Sequence, residues 1–507
     1  MDFLGQFTMD GLNFLSMLFV FAVGFVFLLI VFVFISDITQ TKNAIRRNYP
    51  VIGHFRYIFS TLGEFFRQYF FAMDREERPF NRAERDWIDR SCTGKDNTIA
   101  FGSTQNLNPV GSVIFVNCPF PTLDEDAQAV PPVTVGPHTK HPYTFSSIIN
   151  ISGMSYGAIS KPAVLALSKG AAMAGCWMNT GEGGLSPFHL EGGADIVFQI
   201  GTAKYGVRTA DGQYDMDRLR AVAQHEQVRM IELKLSQGAK PGKGGILPGV
   251  KVTPEIAKIR GIPAYQDSIS PNRHPDINNI GELLNSIEAV RKVANKPVGF
   301  KAVIGAYGWL EQLCEEIHRR GIESAPDFIA VDSGDGGTGA APMALMDNVG
   351  LLIKESLPMV VDILQKYGLR DRIKIFASGK LIVPAEVGWA FCAGADAVIS
   401  ARGFMFALGC IQSLKCNKNT CPTGITTHDS RLQRGLDPAD KAVRVANFAH
   451  RMRYDVGIIA HSCGVAHARA LKRFHCRIVQ ANGRSVPLNE LYPPVSAPSP
   501  TPLSSVA

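Results

Sequence analysis

Short apolar runs of the β type alternate with helical patterns between residues 146 and 460. The strand candidates are Ser147–Ser155, Cys176–Thr180, Asp195–Ile200, Met230–Leu235, Pro297–Ile304, Asp327–Val331, Ile373–Ala377 and Ala397–Ser400. Helical candidates lie between most of them, for example Lys161–Ala174, Gly281–Asn295, Trp309–Arg320 and Pro384–Ala393. Continuous apolar strands separated by helices indicate a buried parallel sheet. Eight such units predict an α/β fold, a closed (β/α)8 TIM barrel, with an open doubly wound sheet as the alternative.

The most apolar charge-free stretch of the chain lies near its N-terminus. Phe14–Ile35 holds 22 residues without a charge and is rich in Phe, Val and Leu. At about 1.5 Å per residue, such a helix crosses a hydrocarbon core of about 30 Å. A cleaved signal peptide is the alternative, but the leader lacks basic residues and the apolar run is too long. Three basic residues follow it: Lys42, Arg46 and Arg47. We therefore expect a single-pass membrane anchor with the rest of the chain in the cytoplasm.

The same pattern divides the chain into five parts. They are a transmembrane anchor (1–40), a juxtamembrane aromatic segment (41–80), a small capping region (81–145), the barrel (146–460), and a C-terminal extension with a disordered tail (461–507). Aromatic and basic residues interleave over Val51–Met73, which is typical of a helix at the headgroup level; an ordinary packed helix pair is the alternative. The tail from Pro493 onward is rich in Pro and Ser, which favours disorder.

Composition and charge exclude several classes of protein. The 507 residues are 46% hydrophobic and 19% charged, which rules out a disordered or fibrous chain. The 52 Lys and Arg residues against 45 Asp and Glu residues leave a net charge of +7. This mild and unclustered excess predicts no nucleic-acid partner. Ten cysteines in a chain of this length do not indicate a secreted disulfide scaffold.

Glycine-rich loops follow three consecutive strands. Gly334, Asp335, Gly336, Gly337, Thr338 and Gly339 follow the sixth strand, Ser378, Gly379 and Lys380 the seventh, and Arg402 and Gly403 the eighth. Glycines let backbone N–H groups approach an anion, and the loops after strands seven and eight build the phosphate site of many barrels. No Gly-x-Gly-x-x-Gly motif opens the first strand–helix junction, so a nicotinamide site of the Rossmann type is not expected. The pattern favours flavin mononucleotide (FMN).

Two further features predict redox chemistry. Lys301 interrupts an apolar strand, where it would stabilise an anionic reduced flavin; pairing with an acid of a neighbouring strand is the alternative. Cys410, Cys416 and Cys421 fall within twelve residues, and a proline follows the last. Three thiolates fit an iron–sulfur cluster that lacks its fourth corner, with zinc or unmetallated thiols as alternatives. We interpret the other seven cysteines as small buried hydrophobes.

The order and spacing of these motifs resemble the synthase domain of glutamate synthase. The resemblance covers roughly Ile149 to Thr427. The matching segments are Met154–Ser160, Asn179–Gly184, Lys234–Gly242, Leu247–Gly249, Ser333–Ala340 and Gly409–Pro422.

The resemblance implies a barrel that holds FMN at its C-terminal face beside a 3Fe–4S cluster. It implies reduction of 2-iminoglutarate, formed from 2-oxoglutarate and ammonia, to L-glutamate. The implied substrate residues are Lys234, Gln237, Lys240 and Arg260, with Glu182 placed where ammonia enters. The implied flavin contacts are Met154, Ser155, Gly157, Gln237 and Lys301. The glycine loops would hold the ribityl phosphate, and Cys410, Cys416 and Cys421 the cluster.

The sequence departs from the family pattern at points that bear on the identity of the substrate and of the partners. The chain begins directly with the membrane helix and not with an amidotransferase domain, so we expect ammonia, or another amine, from solution or from a partner. Lys243 and Ile246 stand where the family more often has acidic or polar residues. No NAD(P)H or FAD module is evident, so a separate electron donor is expected.

Two other functions compete with this one. The first is an FMN-dependent 2-hydroxy acid oxidase, whose histidine base would come from His189, His225 or His274 on loops of the barrel face. The second is a membrane-tethered electron-transfer subunit without catalysis of its own.

Overall fold

The computed structural model describes residues 2–40, 44–71, 73–305 and 308–495. The chain divides after Ala83 into two compact units, each of which is described by itself below. Lys42, which enters the expectation about membrane orientation, lies outside the described residues, as does the predicted disordered tail beyond residue 495.

The N-terminal unit is helical. Its helices are Asp2–Thr39, Ala44–Asn48 and Gly53–Tyr69. The stretch Gly5–Thr39 is long and apolar enough to cross a membrane. Near its end, the Asp37 carboxylate is only 3% exposed and accepts hydrogen bonds from Val51 N and His54 Nε2, each at 2.9 Å. These bonds fix the start of the third helix, whose apolar side chains, including Phe55, Phe59 and Phe65, are exposed.

Eight parallel strands of the second unit close into a barrel, in the order in which they follow along the chain. They are Ile149–Ile151, Met178–Asn179, Ile196–Ile200, Val228–Lys234, Val298–Val303, Phe328–Asp332, Lys374–Ser378 and Ala397–Ser400. The first strand pairs with the eighth through Ile149 and Val398, and this pairing closes the sheet. The barrel prediction is therefore confirmed, and the open-sheet alternative is wrong.

Helices surround the barrel. They are Lys161–Ala174, Pro187–Glu191, Met216–Gln224, Ile280–Ala294, Trp309–Arg320, Met343–Met346, Ile353–Lys366, Pro384–Ala393, Arg402–Ala407, Ser430–Gln433 and Pro438–Ser462. The first begins where the Ser160 hydroxyl accepts a hydrogen bond from Ala163 N, and it ends at Gly175, whose φ of 65° suits glycine. It packs closely against the last, since a Cβ at Gly170 would lie 2.5 Å from Val445 Cβ.

A β-hairpin seals the N-terminal end of the barrel. Its strands are Val133–Val135 and Tyr143–Phe145, and the Phe145 ring lies 4.4 Å from that of Trp177 in the buried core. With this end filled, ligands approach from the opposite face, where the strands have their C-terminal ends.

The remaining segments before and after the barrel combine with each other. The region before the barrel begins with the helix Arg82–Cys92. The strand Val113–Phe115 of this region pairs antiparallel with Cys476–Val479 of the C-terminal extension. A third strand, Ser485–Pro487, completes this sheet, and the short helix Leu488–Leu491 follows.

The 61-residue insert from Ser236 to Lys296 begins at the C-terminal end of the fourth strand, as its sequence position predicts. Its elements before the helix Ile280–Ala294 are the paired strands Ile246–Leu247 and Ser268–Ile269, the helical turn Gly249–Lys251 and the helix Pro254–Arg260. The insert thus builds one wall of the face where a barrel binds its ligand.

Candidate active site

Polar side chains form a network inside the barrel, below its C-terminal face. Glu232, 1% exposed, accepts hydrogen bonds from Asn179 Nδ2 at 2.9 Å and Gln199 Nε2 at 2.6 Å. Burial raises the pKa of the Glu232 carboxyl, against the opposing effect of the Lys301 ammonium. Sequence reasoning missed this network, although each member interrupts an apolar strand in the same way as Lys301 does.

Lys301 has a carboxylate partner on the neighbouring strand. Its ammonium lies 3.1 Å from Asp332 Oδ2, which also accepts a hydrogen bond from Gly238 N at 3.0 Å. Burial opposes the charge on Lys301, but Asp332 and Glu232 outweigh burial and raise its pKa. The alternative of pairing with a neighbouring acid is therefore confirmed, while contact with a flavin stays a prediction.

An ion pair lies at the mouth of the barrel between the second and fourth strands. Lys234 Nζ is 2.8 Å from Glu182 Oε1 and also donates to Gln237 Oε1. The Glu182 carboxylate is held against backbone, since a Cβ at Gly201 would lie 2.6 Å from its Oε2 and one at Gly245 2.7 Å from its Oε1. Burial would raise the pKa of Glu182, but the Lys234 ammonium outweighs burial and lowers it.

Arg260 reaches the same mouth from the insert. Its guanidinium is 4% exposed and donates to Ser155 Oγ and Tyr156 O, each at 3.4 Å, and to Ser268 Oγ at 3.2 Å. It also lies over the Tyr205 ring at 5.2 Å. These partners are all neutral, and its Nε has no hydrogen-bond partner among the described residues.

The mouth carries an excess of positive charge. Glu182 neutralises Lys234 at 2.8 Å, whereas neither Lys240 nor Arg260 lies within 4 Å of a carboxylate in the described part of the chain. Lys240 is 6% exposed, and burial followed by the Lys234 ammonium lowers its pKa to about 8. Two buried cations without counter-charges could bind a ligand with two negative charges.

The loop after the first strand packs closely against the loop after the second strand. Met154 and Ser155 are each 9% exposed, and a Cβ at Gly181 would lie 2.5 Å from Ser155 N. Gly157 has a φ of 107°, and a Cβ there would come within 3.1 Å of Arg260 Nη2. The structure therefore brings the predicted flavin loop and the predicted substrate residues to one place.

The three glycine loops meet at the far side of the mouth. A Cβ at Gly334 would lie 2.3 Å from Gly350 O, and one at Gly379 2.2 Å from Ser333 Cβ, so this packing depends on glycine. Their charged side chains, Lys380 and Arg402, both approach Asp335: Lys380 Nζ lies 2.8 Å from its carboxylate, and Arg402 Nη2 donates to its carbonyl at 3.3 Å. These two cations and the backbone N–H groups of the loops would suit a phosphate.

The rest of the predicted phosphate residues lie in the same loops. A Cβ at Gly336 would lie 2.9 Å from Ser333 O, and one at Gly337 would lie 2.9 Å from Arg402 Nε. Ser378 and Gly403 are buried at the ends of the seventh and eighth strands. Thr338 hydrogen-bonds within its own loop to Ala340, and a Cβ at Gly339 would meet nothing within 4 Å.

The three clustered cysteines follow the eighth strand and its helix. Burial, opposed by a hydrogen bond from Gln412 N, raises the pKa of Cys410 to about 11, and the Cys416 and Cys421 thiolates add to the rise. The pKa of Cys421 is lowered instead, because hydrogen bonds from Thr423 and Thr426 outweigh burial. One of the three thiols therefore favours the thiolate form that a metal needs. Within the described ranges, no three His, Cys, Asp or Glu side chains are arranged around a single metal ion.

Of the other seven cysteines, all except the half-buried Cys118 are buried and all are free, as small hydrophobes would be.

The histidines proposed for an oxidase lie in three different settings. His225 precedes the fourth strand and so lies at the end of the barrel opposite the active site, which makes its predicted position wrong. His189 is buried in the helix Pro187–Glu191 and bonds Ser186 at 2.8 Å. Only His274 approaches the mouth, where its Nε2 lies 3.0 Å from Lys234 O.

Fold and site together define an α/β barrel whose mouth, at the C-terminal ends of its strands, gathers buried cationic side chains. A family model described as the conserved region in glutamate synthase matches residues 120–466. The glutamate synthase large subunit-like protein YerD of Bacillus subtilis is 38% identical over 502 residues, which cover 91% of this chain and 95% of that protein. The chain therefore belongs to the glutamate synthase family, a family of oxidoreductases, and the resemblance drawn from its motifs is confirmed.

More distant proteins match the barrel region. An archaeal glutamate synthase [NADPH] of Methanocaldococcus jannaschii is 36% identical over 345 residues, and the match covers 68% of this chain but only 63% of that protein. A solved mutant of an active chimera of (S)-mandelate dehydrogenase has a TM-score of 0.46 and 13% identity, covering 78% of this chain and 90% of that one.

Proposed function

We propose that the protein is an FMN-dependent oxidoreductase of the glutamate synthase type, which converts 2-oxoglutarate and ammonia, through 2-iminoglutarate, to L-glutamate. The observation that carries this proposal is the pair of buried cations, Lys240 and Arg260, beside the Glu182–Lys234 ion pair. Two cations without counter-charges match the two carboxylates of 2-oxoglutarate. The adjacent carboxylate and ammonium supply an acid–base pair where ammonia must add to the keto group.

The residues around the mouth fit FMN. When bound, FMN would supply the hydride for the imine, and a 3Fe–4S cluster would relay electrons to it. Met154, Ser155 and Gly157 would face the ring, and Gln237 and Lys301 would face its polar edge. The glycine loops, with Lys380 and Arg402, would hold the phosphate. Arg260 donates to Ser155 of the predicted flavin loop and lies among the predicted substrate residues, so it would orient the substrate against the ring.

Cys410, Cys416 and Cys421 would bind the 3Fe–4S cluster. Hydrogen bonds from the threonines around Cys421 lower its pKa and favour its thiolate. Electrons would come from a separate donor protein, because no NAD(P)H or FAD module is evident in the sequence. Ammonia or another amine would reach the site from solution or from a partner. The apolar helix Gly5–Thr39 would anchor the barrel to the cytoplasmic side of a membrane.

An activity assay tests the proposal directly. Full-length protein purified in detergent should be yellow and, with an artificial reductant, should form glutamate from 2-oxoglutarate and ammonia. Omitting ammonia is the control for reduction of the keto acid alone. A colourless protein that takes up no FMN would contradict the proposal, and turnover of a 2-hydroxy acid without glutamate formation would favour the oxidase.

Replacing Cys416 with serine should abolish the electron paramagnetic resonance signal of the oxidised cluster, because a serine hydroxyl is a poor ligand for iron at this site. The flavin absorbance should be retained, since Cys416 lies outside the glycine loops. Cys314→Ser, at a buried cysteine of the helix Trp309–Arg320, is the matched control and should keep the signal. A full signal in Cys416→Ser would show that the ligand set is wrong.

The affinity for 2-oxoglutarate should depend on the protonation of Lys240. Burial lowers the pKa of Lys240 to about 8, so its ammonium is present below that pH and is lost above it. If only the ammonium binds a carboxylate, KM for 2-oxoglutarate should rise about tenfold per pH unit above pH 8 and stay flat below it. Lys240→Arg keeps its charge and should abolish this rise in KM above pH 8. If KM rises in the same way in that variant, the titrating group is not Lys240.

A further inference from the structure

Lys251 is a buried lysine that the proposed chemistry leaves without a role. It ends the helical turn Gly249–Lys251 in the insert, and its side chain is among the largest that the fold buries completely. The turn is held firmly: Gly249 N donates to Asp267 Oδ1 at 2.7 Å, and Lys251 N donates to Pro248 O at 2.8 Å. A Cβ at Gly249 would lie 2.5 Å from Tyr265 O, so the turn also packs tightly against the chain that follows.

The Lys251 ammonium joins two loops that the proposed function places at different cofactors. It donates to Ala158 O at 2.7 Å, one residue beyond Gly157 of the flavin loop. It also donates to Cys416 O at 3.4 Å in the cysteine loop. His428 makes a second link nearby, since its Nε2 lies 2.9 Å from Gly157 O. The insert, the flavin loop and the cysteine loop therefore meet at this side chain.

This ammonium differs from three other buried lysines of the barrel in its lack of a counter-charge. Lys204, Lys234 and Lys301 each lie within 3.1 Å of a carboxylate oxygen. Lys251 has no carboxylate within 4 Å in the described part of the chain, and both of its acceptors are carbonyl oxygens. A buried charge held only by neutral groups is costly unless an anion lies near it. The loop to which it is bonded would supply such negative charge when its cysteines are deprotonated as metal ligands.

We propose that Lys251 is a positioning residue for the cysteine loop, whose ammonium offsets the negative charge of a cluster bound by Cys410, Cys416 and Cys421. This inference rests on the proposed function, because it requires that cluster. Reducing a cluster adds one negative charge to it, so a fixed cation close by favours the reduced state. By bonding the carbonyls of Ala158 and Cys416, the same side chain also holds the predicted flavin loop and the cysteine loop against each other.

The test is a redox titration of the full-length protein at one pH, followed by electron paramagnetic resonance. Lys251→Met removes the charge and should shift the midpoint potential of the cluster to a more negative value. Lys251→Gln, which keeps a donor but no charge, should shift it in the same direction. Lys251→Arg keeps the charge and should restore a potential near that of the unmodified protein. Iron, sulfide and flavin contents are measured for each variant.

Lys296 provides a matched control. It is also buried, and its ammonium bonds only carbonyl oxygens, those of His225 and Val228, but it lies at the opposite end of the barrel. Lys296→Met should therefore leave the potential unchanged, which separates the effect of position from that of losing any buried lysine.

The outcomes distinguish the inference from the function on which it rests. Unmodified protein without iron and sulfide would overturn both. A cluster present in the unmodified protein and equally present, with the same potential, in Lys251→Met and Lys251→Gln would overturn the inference alone. Loss of the cluster from both neutral variants but not from Lys251→Arg would support it, provided that flavin is retained. Equal loss from all three would show that shape and not charge is required, and would overturn it.

Discussion

Replacing Glu182 with glutamine should lower kcat/KM for glutamate formation on the order of 1,000-fold while leaving FMN bound. The carboxylate lies 2.8 Å from Lys234 Nζ, and the Lys234 charge outweighs burial to lower its pKa. Glu182 is therefore ionised throughout the neutral range and can accept a proton as ammonia adds to the keto acid. Glutamine keeps the shape of the side chain but accepts no proton, and it leaves the Lys234 ammonium buried without its partner.

The pH profile separates this role from a structural one. Activity of the unmodified protein should fall as pH drops through the lowered pKa of Glu182, below the ordinary range of a glutamate, because the protonated acid cannot act as a base. Glu182→Gln should lack this acidic limb. Glu255→Gln is the matched control. Glu255 is exposed and accepts a hydrogen bond from the Tyr156 hydroxyl at 2.5 Å, so this substitution removes a nearby negative charge without touching Lys234. An acidic limb that persists in Glu182→Gln would assign the proton transfer elsewhere.

The sequence predicts the barrel because each strand is a local signal. The eighth strand is found at its predicted bounds, Ala397–Ser400, and the sixth, Phe328–Asp332, is shifted by one residue. These strands are buried and apolar, and the turns between them are rich in glycine. The sheet that joins Val113–Phe115 to Cys476–Val479 could not be predicted in this way, since its partners lie more than 350 residues apart and are three and four residues long.

The residues of the candidate site likewise differ in whether a local sequence pattern predicts them. Glu182 and Lys240 stand in motifs, Arg260 lies within the region that the resemblance covers, and the structure brings all three to one mouth. Asn179 belongs to a motif too, but Gln199 and Glu232 are single polar residues inside strands, and only the closed barrel shows that they bond one another. Lys251 likewise reads as one more basic residue of a loop until its burial is known. Burial and pairing arise from tertiary contacts, which a local pattern does not contain.

Replacing Arg260 with alanine should weaken 2-oxoglutarate binding about 100-fold, which corresponds to about 3 kcal/mol for a charge-assisted interaction with a carboxylate. Arg260 is free to make this interaction, since its partners Ser155, Tyr156 and Ser268 are neutral and its Nε has no partner within the described residues. The effect should appear in KM and in the dissociation constant measured by quenching of the flavin. Arg260→Lys should recover part of the affinity, because it restores the charge but not the two-pronged geometry. Flavin content and absorbance should be those of the unmodified protein in both variants. If Arg260→Ala leaves the affinity for 2-oxoglutarate unchanged, Arg260 does not bind a carboxylate of the substrate, and the orientation proposed for the substrate is wrong.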